Sequence, residues 1–178
     1  LYLFDIDNRK LEDGMATATG IIYIVFFSYH IVLFDQLGYL RIFIWLAIIS
    51  AFGTDIFAYF VGMALGKHKL CPKISPKKSI EGSVGGIVGS VILSGIFTMI
   101  FAQNYIMHGC VIGLLGSVVS QFGDLTASVF KRKMGIKDYG KLIPGHGGIL
   151  DRFDSVLFTA PVVYYYVSLV IPAANLPI

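Results

Sequence analysis

Apolar runs of about 20 residues alternate with polar stretches along most of the chain, and each run is long enough to cross the hydrocarbon of a bilayer. Windowed hydropathy predicts five of them: about Met15 to Phe34, Arg41 to Leu65, Ser83 to Ala102, Ile106 to Phe130 and Ser155 to Pro172. The connections are of two kinds. Asp35 to Tyr39, with Gly38 inside it, and Gln103 to Tyr105 read as tight turns. Gly66 to Gly82 and Ser128 to Asp154 are long, basic and rich in glycine, and Pro72 and Pro76 argue against a continuous helix in the first of these. Tyr2 to Gly14 is mixed in charge and reads as a surface loop or short helix. The pattern predicts an all-α, polytopic transmembrane bundle forming one membrane-embedded domain over residues 1–178. Leu1 to Phe4 look like the tail of something apolar, so the chain is expected to be the C-terminal part of a longer protein with further N-terminal spans.

Composition agrees with that pattern. The chain is 56% hydrophobic and 14% charged, where a soluble domain carries about 25% charged residues. The net charge of +3 says little, but its distribution says more. Thirteen of the 14 Lys and Arg fall before the first span or in the two long loops, and only Arg41 falls on the other side. The positive-inside rule makes the crowded face cytoplasmic. Cys71 and Cys110 then lie on opposite faces, which argues against a disulfide, and no CxxC or Cys/His spacing points to zinc.

Candidate chemistry gathers at the basic face. Asp55 lies inside the second span, where a carboxylate costs about 2.5–3.5 kcal/mol on insertion scales and so usually faces a bundle interior or a wet cavity with a partner. An interhelical hydrogen bond would explain one such Asp. Asp124, near the same end of another span, repeats the observation and moves the balance toward a metal site. Asp151 and Asp154 stand at i and i+3 in the sequence DRFD, so both can face one way with Arg152 between them. A helix cap would explain one of these acids and the cluster poorly. Magnesium favours hard oxygen ligands and binds through one or two carboxylates plus substrate phosphates. Asp124 and Asp151 are the preferred metal pair, with Asp55 and Asp154 left for a second ion or for orienting the basic groups.

The basic residues serve partly to set topology and to meet anionic lipid. Glycine and serine flank the others in a way that topology does not require. Ser75, Lys77, Lys78 and Glu81 precede a helix start, with Lys67 upstream, and a helix N-terminus beside glycines is an anion site. No Walker A pattern is present. The glycines of Gly145 to Gly148, Gly147 and Gly148 among them, would let backbone approach a ligand closely, and His146 is left to contact a phosphate or base or to hold the loop. The GxxxG spacings Gly82/Gly86, Gly85/Gly89 and Gly109/Gly113 fit close helix packing, either within the chain or in a homodimer.

The stretch from Ser128 to Asp154 resembles the signature of the phosphatidate cytidylyltransferase (CDP-diglyceride synthetase) family. Ser128, Lys131, Arg132, Lys137, Asp138, His146, Gly147, Gly148, Asp151, Arg152 and Asp154 match it without departure. Asp55 with Ala58 and Tyr59, Gly66 with Lys67, and Ser75 through Lys78 to Glu81 and Gly82 are also similar to that family, so the likeness covers roughly residues 50 to 155. The chain departs in length, since members usually have several more N-terminal spans.

The resemblance implies nucleotidyl transfer in phospholipid biosynthesis: CTP and phosphatidate in the bilayer give CDP-diacylglycerol and pyrophosphate, with Mg2+ as cofactor. It implies catalytic roles for Asp55, Lys131, Arg132, Arg152 and Asp154. Lys67, Ser75, Lys77, Lys78, Glu81, Ser128, Lys137, His146, Gly147 and Gly148 would bind substrate, and Asp151, together with the Asp124 singled out by its place in a span, would hold metal. Membrane lipids are the expected surroundings and no nucleic acid is expected as a partner. Two alternatives stay open: a CTP-dependent lipid kinase, and an ion-coupled transporter, because intramembrane Asp residues also line ion paths.

Overall fold

The protein's structure, a computed structural model, describes residues 11–140, 142 and 147–171. Long helices dominate. Leu11–Gly20 (α1) continues through a π-helical turn, Ile21–Phe26, into Phe27–Leu33 (α2), and a 3-10 segment, Phe34–Phe43, leads into Ile44–Leu65 (α3). A short antiparallel hairpin, Lys69–Cys71 (β1) and Ser75–Ser79 (β2), precedes Ile80–Phe101 (α4). Ile106–Lys133 (α5) and Leu150–Val170 (α6) complete the bundle. The 22 residues of α3 or α4 make a helix about 33 Å long, close to the thickness of bilayer hydrocarbon.

The helical stretch from Gly14 to Leu65 is 52 residues, far too long for one crossing. It breaks at Gly38, whose φ of +56° and ψ of −122° are open to glycine and strained for other residues. Packing shows what the break does. Tyr23 meets Phe158, and His30 and Phe34 meet Tyr164, so α1–α2 runs parallel to α6. Thr159 donates to the Ala47 carbonyl at 3.1 Å while Ser155 reaches Asp55, so α3 runs antiparallel to α6. The chain therefore reverses at Gly38, so this stretch, one of four long apolar helical stretches among the described residues, carries the first two spans read from the sequence.

The glycines of α4 are used within the chain. A Cβ on Gly82 would lie 2.6 Å from the Ala58 carbonyl oxygen, one on Gly85 2.6 Å from Val61, and one on Gly89 2.2 Å from the Phe57 ring. This stripe lets α3 and α4 meet at backbone distance, as small residues do where lipid supplies no hydrophobic drive between helices. Gly109 and Gly113 do the same for α5 against Thr98 and Ser94. Ser90 ties three helices together: its hydroxyl donates to the Gly113 carbonyl at 3.1 Å and lies 3.4 Å from the Ser50 carbonyl.

The interior changes in character along the bundle axis. Phe34, Leu40, Phe43, Leu46, Ile112, Val163 and Val167 form an apolar core at the end that carries the tight turns. Buried Ser50, Thr54, Ser90, Ser117 and Ser120 fill the middle, and charged side chains gather at the opposite end. That end brings together the start of α1, the end of α3, the hairpin, the start of α4, the end of α5 and the start of α6. Large apolar residues such as Ile22, Phe60, Val88, Met107 and Leu169 point outward, as a surface in contact with lipid requires.

Candidate functional site

Two lysine–aspartate pairs flank a buried pair of carboxylates. On one side Lys78, at the end of β2, donates to Asp124 Oδ2 on α5. The position of Lys78 follows from the hairpin and from the helix cap beside it: Ser79 has an extended backbone and its Oγ accepts from the Gly82 N–H at 3.1 Å. Glu81, in the first turn of α4, accepts from the backbone N–H groups of Lys67 (3.1 Å) and His68 (3.2 Å) and lies 2.6 Å from His68 Nδ1. Glu81 thus fixes where the basic loop leaves α3, and the Lys67 side chain is exposed.

On the other side Lys131, in the last turn of α5, donates to Asp151 Oδ1 at 2.8 Å, with the two side chains 12% and 4% exposed. Asp151 Oδ2 accepts from the backbone N–H groups of Tyr139 at 2.8 Å and Gly148 at 2.9 Å. This carboxylate therefore clasps the loop that crosses from α5 to α6. Glycine is needed at the crossing, because a Cβ on Gly148 would press on the Gly140 backbone at 3.0 Å, and Gly147 has a φ of +85°. Tyr139 also lays its ring 5.3 Å from Lys131 Nζ and donates its hydroxyl to the Ala127 carbonyl at 3.2 Å. Burial, and then the charges of Asp154 and Asp151, push the Tyr139 phenol above its ordinary value.

Between the two pairs lie Asp55 and Asp154. The Ser155 N–H donates to Asp154 Oδ1 at 2.7 Å, and its hydroxyl, 3.2 Å from that oxygen, also lies 3.3 Å from Asp55 Oδ2. Since the N–H already holds Asp154, the hydroxyl hydrogen can serve Asp55. Asp124 lies within electrostatic range of both Asp55 and Asp154.

A cleft of about 500 Å³ opens beside the first pair, and Asp55, Ser75, Lys77, Lys78 and Asp124 are among its lining residues. Tyr59 and Met63 give it an apolar flank, and Gln121, hydrogen-bonded to Ser83, closes its floor. Lys131, Asp151 and Gly148 form the second cluster, with Asp154 between the two. Arg132 and Lys137 are exposed around the end of α5, Arg152 is exposed between the two DRFD acids, and Ser128 is half-buried one turn before Arg132. His146 and Lys141 lie outside the described residues.

The donor set suits a hard divalent cation in kind, being carboxylate oxygens with a hydroxyl nearby. Among the described residues no three His, Cys, Asp or Glu side chains come together closely enough to enclose an ion. Lysine ammonium groups meet Asp124 and Asp151. Sequence reasoning did not find Ser155 or Tyr139. A serine that follows an acid in an apolar helix looks like ordinary span polarity, and nothing local shows that Asp55 will lie opposite it.

Fold and site together define a polytopic helical membrane protein with intramembrane carboxylates and loop lysines converging at one end of the bundle. A model of the cytidylyltransferase family matches residues 2–170. Among curated proteins, the phosphatidate cytidylyltransferase of Bacillus subtilis is 44% identical over 162 residues, which is 89% of this chain and 59% of the relative. That of Synechocystis sp. is 61% identical over 67 residues, 38% of this chain and 23% of the relative. That of Staphylococcus aureus is 42% identical over 111 residues, 61% of this chain and 42% of the relative. This chain belongs to the cytidylyltransferase family. It spans less than two thirds of the length of these curated relatives.

Proposed function

We propose that this protein transfers the cytidylyl group of CTP to phosphatidate in the bilayer, giving CDP-diacylglycerol and pyrophosphate, at a site on the cytoplasmic face. The observation that carries the proposal is the convergence of Lys78–Asp124 and Lys131–Asp151 on the Asp55–Ser155–Asp154 bridge, beside a cleft lined by Ser75 and Lys77. A phosphate oxygen of phosphatidate is already an anionic nucleophile, so the site needs no strong base. That oxygen forms the new bond to the α-phosphorus of CTP, and the bond from that phosphorus to its bridging oxygen breaks, releasing pyrophosphate.

The obstacle is the mutual repulsion of two polyanions. A unit charge placed about 4 Å from another near a protein surface changes the energy by ~4 kcal/mol. Lys77, Lys78 and Lys131 supply positive charge where the phosphates would meet, and Arg132, Lys137 and Arg152 add exposed positive charge on the α5–α6 side. The carboxylates hold the lysines in place until substrate arrives. Asp124 and Asp151 would hold Mg2+, with Asp55 and Asp154 adjacent. When bound, the ion would supply Lewis-acid neutralisation of the phosphate oxygens. Each of these two acids carries a lysine in the structure, and a lysine that leaves its acid is free to take a phosphate.

The deciding experiment uses purified protein in detergent with phosphatidate, Mg2+ and α-labelled CTP. Label should enter the lipid phase only when phosphatidate and metal are both present, and EDTA should stop it. A folded protein that moves no label under these conditions would overturn the proposal.

A further inference from the structure

Tyr23, on the first span, was assigned no chemistry by its sequence. The residue is 6% exposed, and its hydroxyl has no hydrogen-bond partner among the described residues. Among the described residues, two other buried side-chain atoms share that condition. One is His30 Nε2, set among Phe26, Tyr164 and Tyr165, and the other is Ser94 Oγ, packed against Gly113 in the α4–α5 seam. Tyr23 differs from both in its surroundings. It lies within electrostatic range of Asp154, Tyr139, Asp124 and Asp151, the acidic side of the site together with the tyrosine of the Asp151 clasp.

Two features fix its placement. The ring is held by Phe27, Phe130 and Phe158, with centroids 6.3, 6.1 and 5.6 Å away. Phe130 immediately precedes Lys131, and Phe158 stands one turn beyond Asp154, so the cage sits directly under the second cluster. In addition, Tyr23 is the one buried residue of the π-helical turn Ile21–Phe26. Such turns shift the phase of a helix and recur at functional sites. A phenylalanine would fill the same cage without burying an unsatisfied hydroxyl, which costs free energy.

We propose that the Tyr23 phenol is a substrate-binding residue, donating to a phosphate oxygen held at the Lys131–Asp151–Asp154 side of the site. The first span then contributes to the site as well as enclosing α6. The proposal deepens the nucleotidyl-transfer assignment and rests on it. Both substrates present the same chemistry, a phosphate oxygen, and the test distinguishes them.

Wild type and Tyr23→Phe are compared as purified protein in detergent. Unfolding midpoints are measured without ligand and with CTP, pyrophosphate or phosphatidate, and rates are measured against each substrate. The ring stays in its cage, so the variant should unfold no lower than wild type. Its KM for one substrate should rise about ten-fold, the effect of losing one hydrogen bond to a charged group. The value of kcat and the other KM should stay within two-fold, and the midpoint shift from the affected ligand should shrink. An effect confined to phosphatidate assigns the lipid headgroup, while an effect on CTP mirrored with pyrophosphate assigns the nucleotide. Unchanged KM values and shifts overturn the proposal, as does a lower midpoint with both KM values changed alike, which would mark a structural role. If wild type moves no label into lipid, the reaction assignment fails separately. The midpoint shifts then decide Tyr23 alone: a smaller shift with any phosphate ligand supports it and equal shifts overturn it.

Discussion

Ser155 joins two acids that stand 99 residues apart in sequence, Asp55 and Asp154: its hydroxyl lies 3.3 Å from Asp55 Oδ2 and its N–H holds Asp154 Oδ1 at 2.7 Å. One small residue thereby sets the spacing of two negative charges contributed by α3 and α6. Without the hydroxyl, Asp55 loses that donor and two carboxylates face each other with less between them.

Ser155→Ala should therefore lose about 1 kcal/mol of stability, the usual value of one such hydrogen bond. Turnover should fall about ten-fold, equivalent to ~1.4 kcal/mol of barrier. Ser155→Thr keeps the hydroxyl and should recover most of the turnover. Thermal unfolding and label transfer measure the two effects, and an alanine variant as active as wild type would remove Ser155 from the site.

Asp124 and Asp151 should behave differently when each is replaced by Asn. Asp124 makes one ion pair and its side chain is 24% exposed, so Asp124→Asn should abolish turnover and leave the unfolding midpoint close to wild type. Asp151 is 4% exposed and holds Lys131 together with two backbone N–H groups. Breaking a buried pair from one side costs about 3–5 kcal/mol. Asp151→Asn should therefore lose activity and also lower the midpoint. Near-normal turnover in either variant would refute its role.

Helix packing gives a prediction independent of the chemistry. Gly89→Ala drives a methyl into the Phe57 ring, which a Cβ would approach to 2.2 Å. Overpacking of this kind costs about 1–3 kcal/mol. Gly20→Ala meets nothing within 4 Å in a helical position and should be neutral or stabilising by up to ~1 kcal/mol. Unfolding midpoints of the two variants should move in opposite directions, or only the first should move. Equal destabilisation would contradict the packing described.

Tyr139 supplies a pH dependence. Its phenol is raised in the folded protein, so the neutral form is favoured there and the unfolded chain ionises first. Stability from this group is fully present below the ordinary tyrosine value of about 10 and is lost as pH climbs through the raised folded value. Tyr139→Phe lacks this contribution. The stability difference between wild type and variant should be flat below pH ~9 and should shift against wild type above ~10. A difference that stays constant through that range would place the hydroxyl in water.

The sequence by itself determined the membrane class, the five spans, the face on which charge gathers and the family signature. Each of these is written in local composition. Twenty apolar residues must span, Gly38 permits a backbone that other residues resist, and Lys and Arg collect in two loops. The residue types at the site were legible for the same reason, since Asp55 and Asp124 are costly where they stand. Tertiary structure decided which groups meet. Lys78 could have paired with any of four acids and takes Asp124 because the antiparallel packing of α4 and α5 sets their ends level. Ser155 reaches Asp55 only because α3 and α6 run antiparallel with Thr159 beside Ala47. Glu81 serves the loop backbone, and Tyr23 is brought beneath Asp154 by the parallel approach of the first span to α6. Composition is carried by each stretch of chain on its own, whereas these pairings depend on helix register and direction, which arise only when the helices pack.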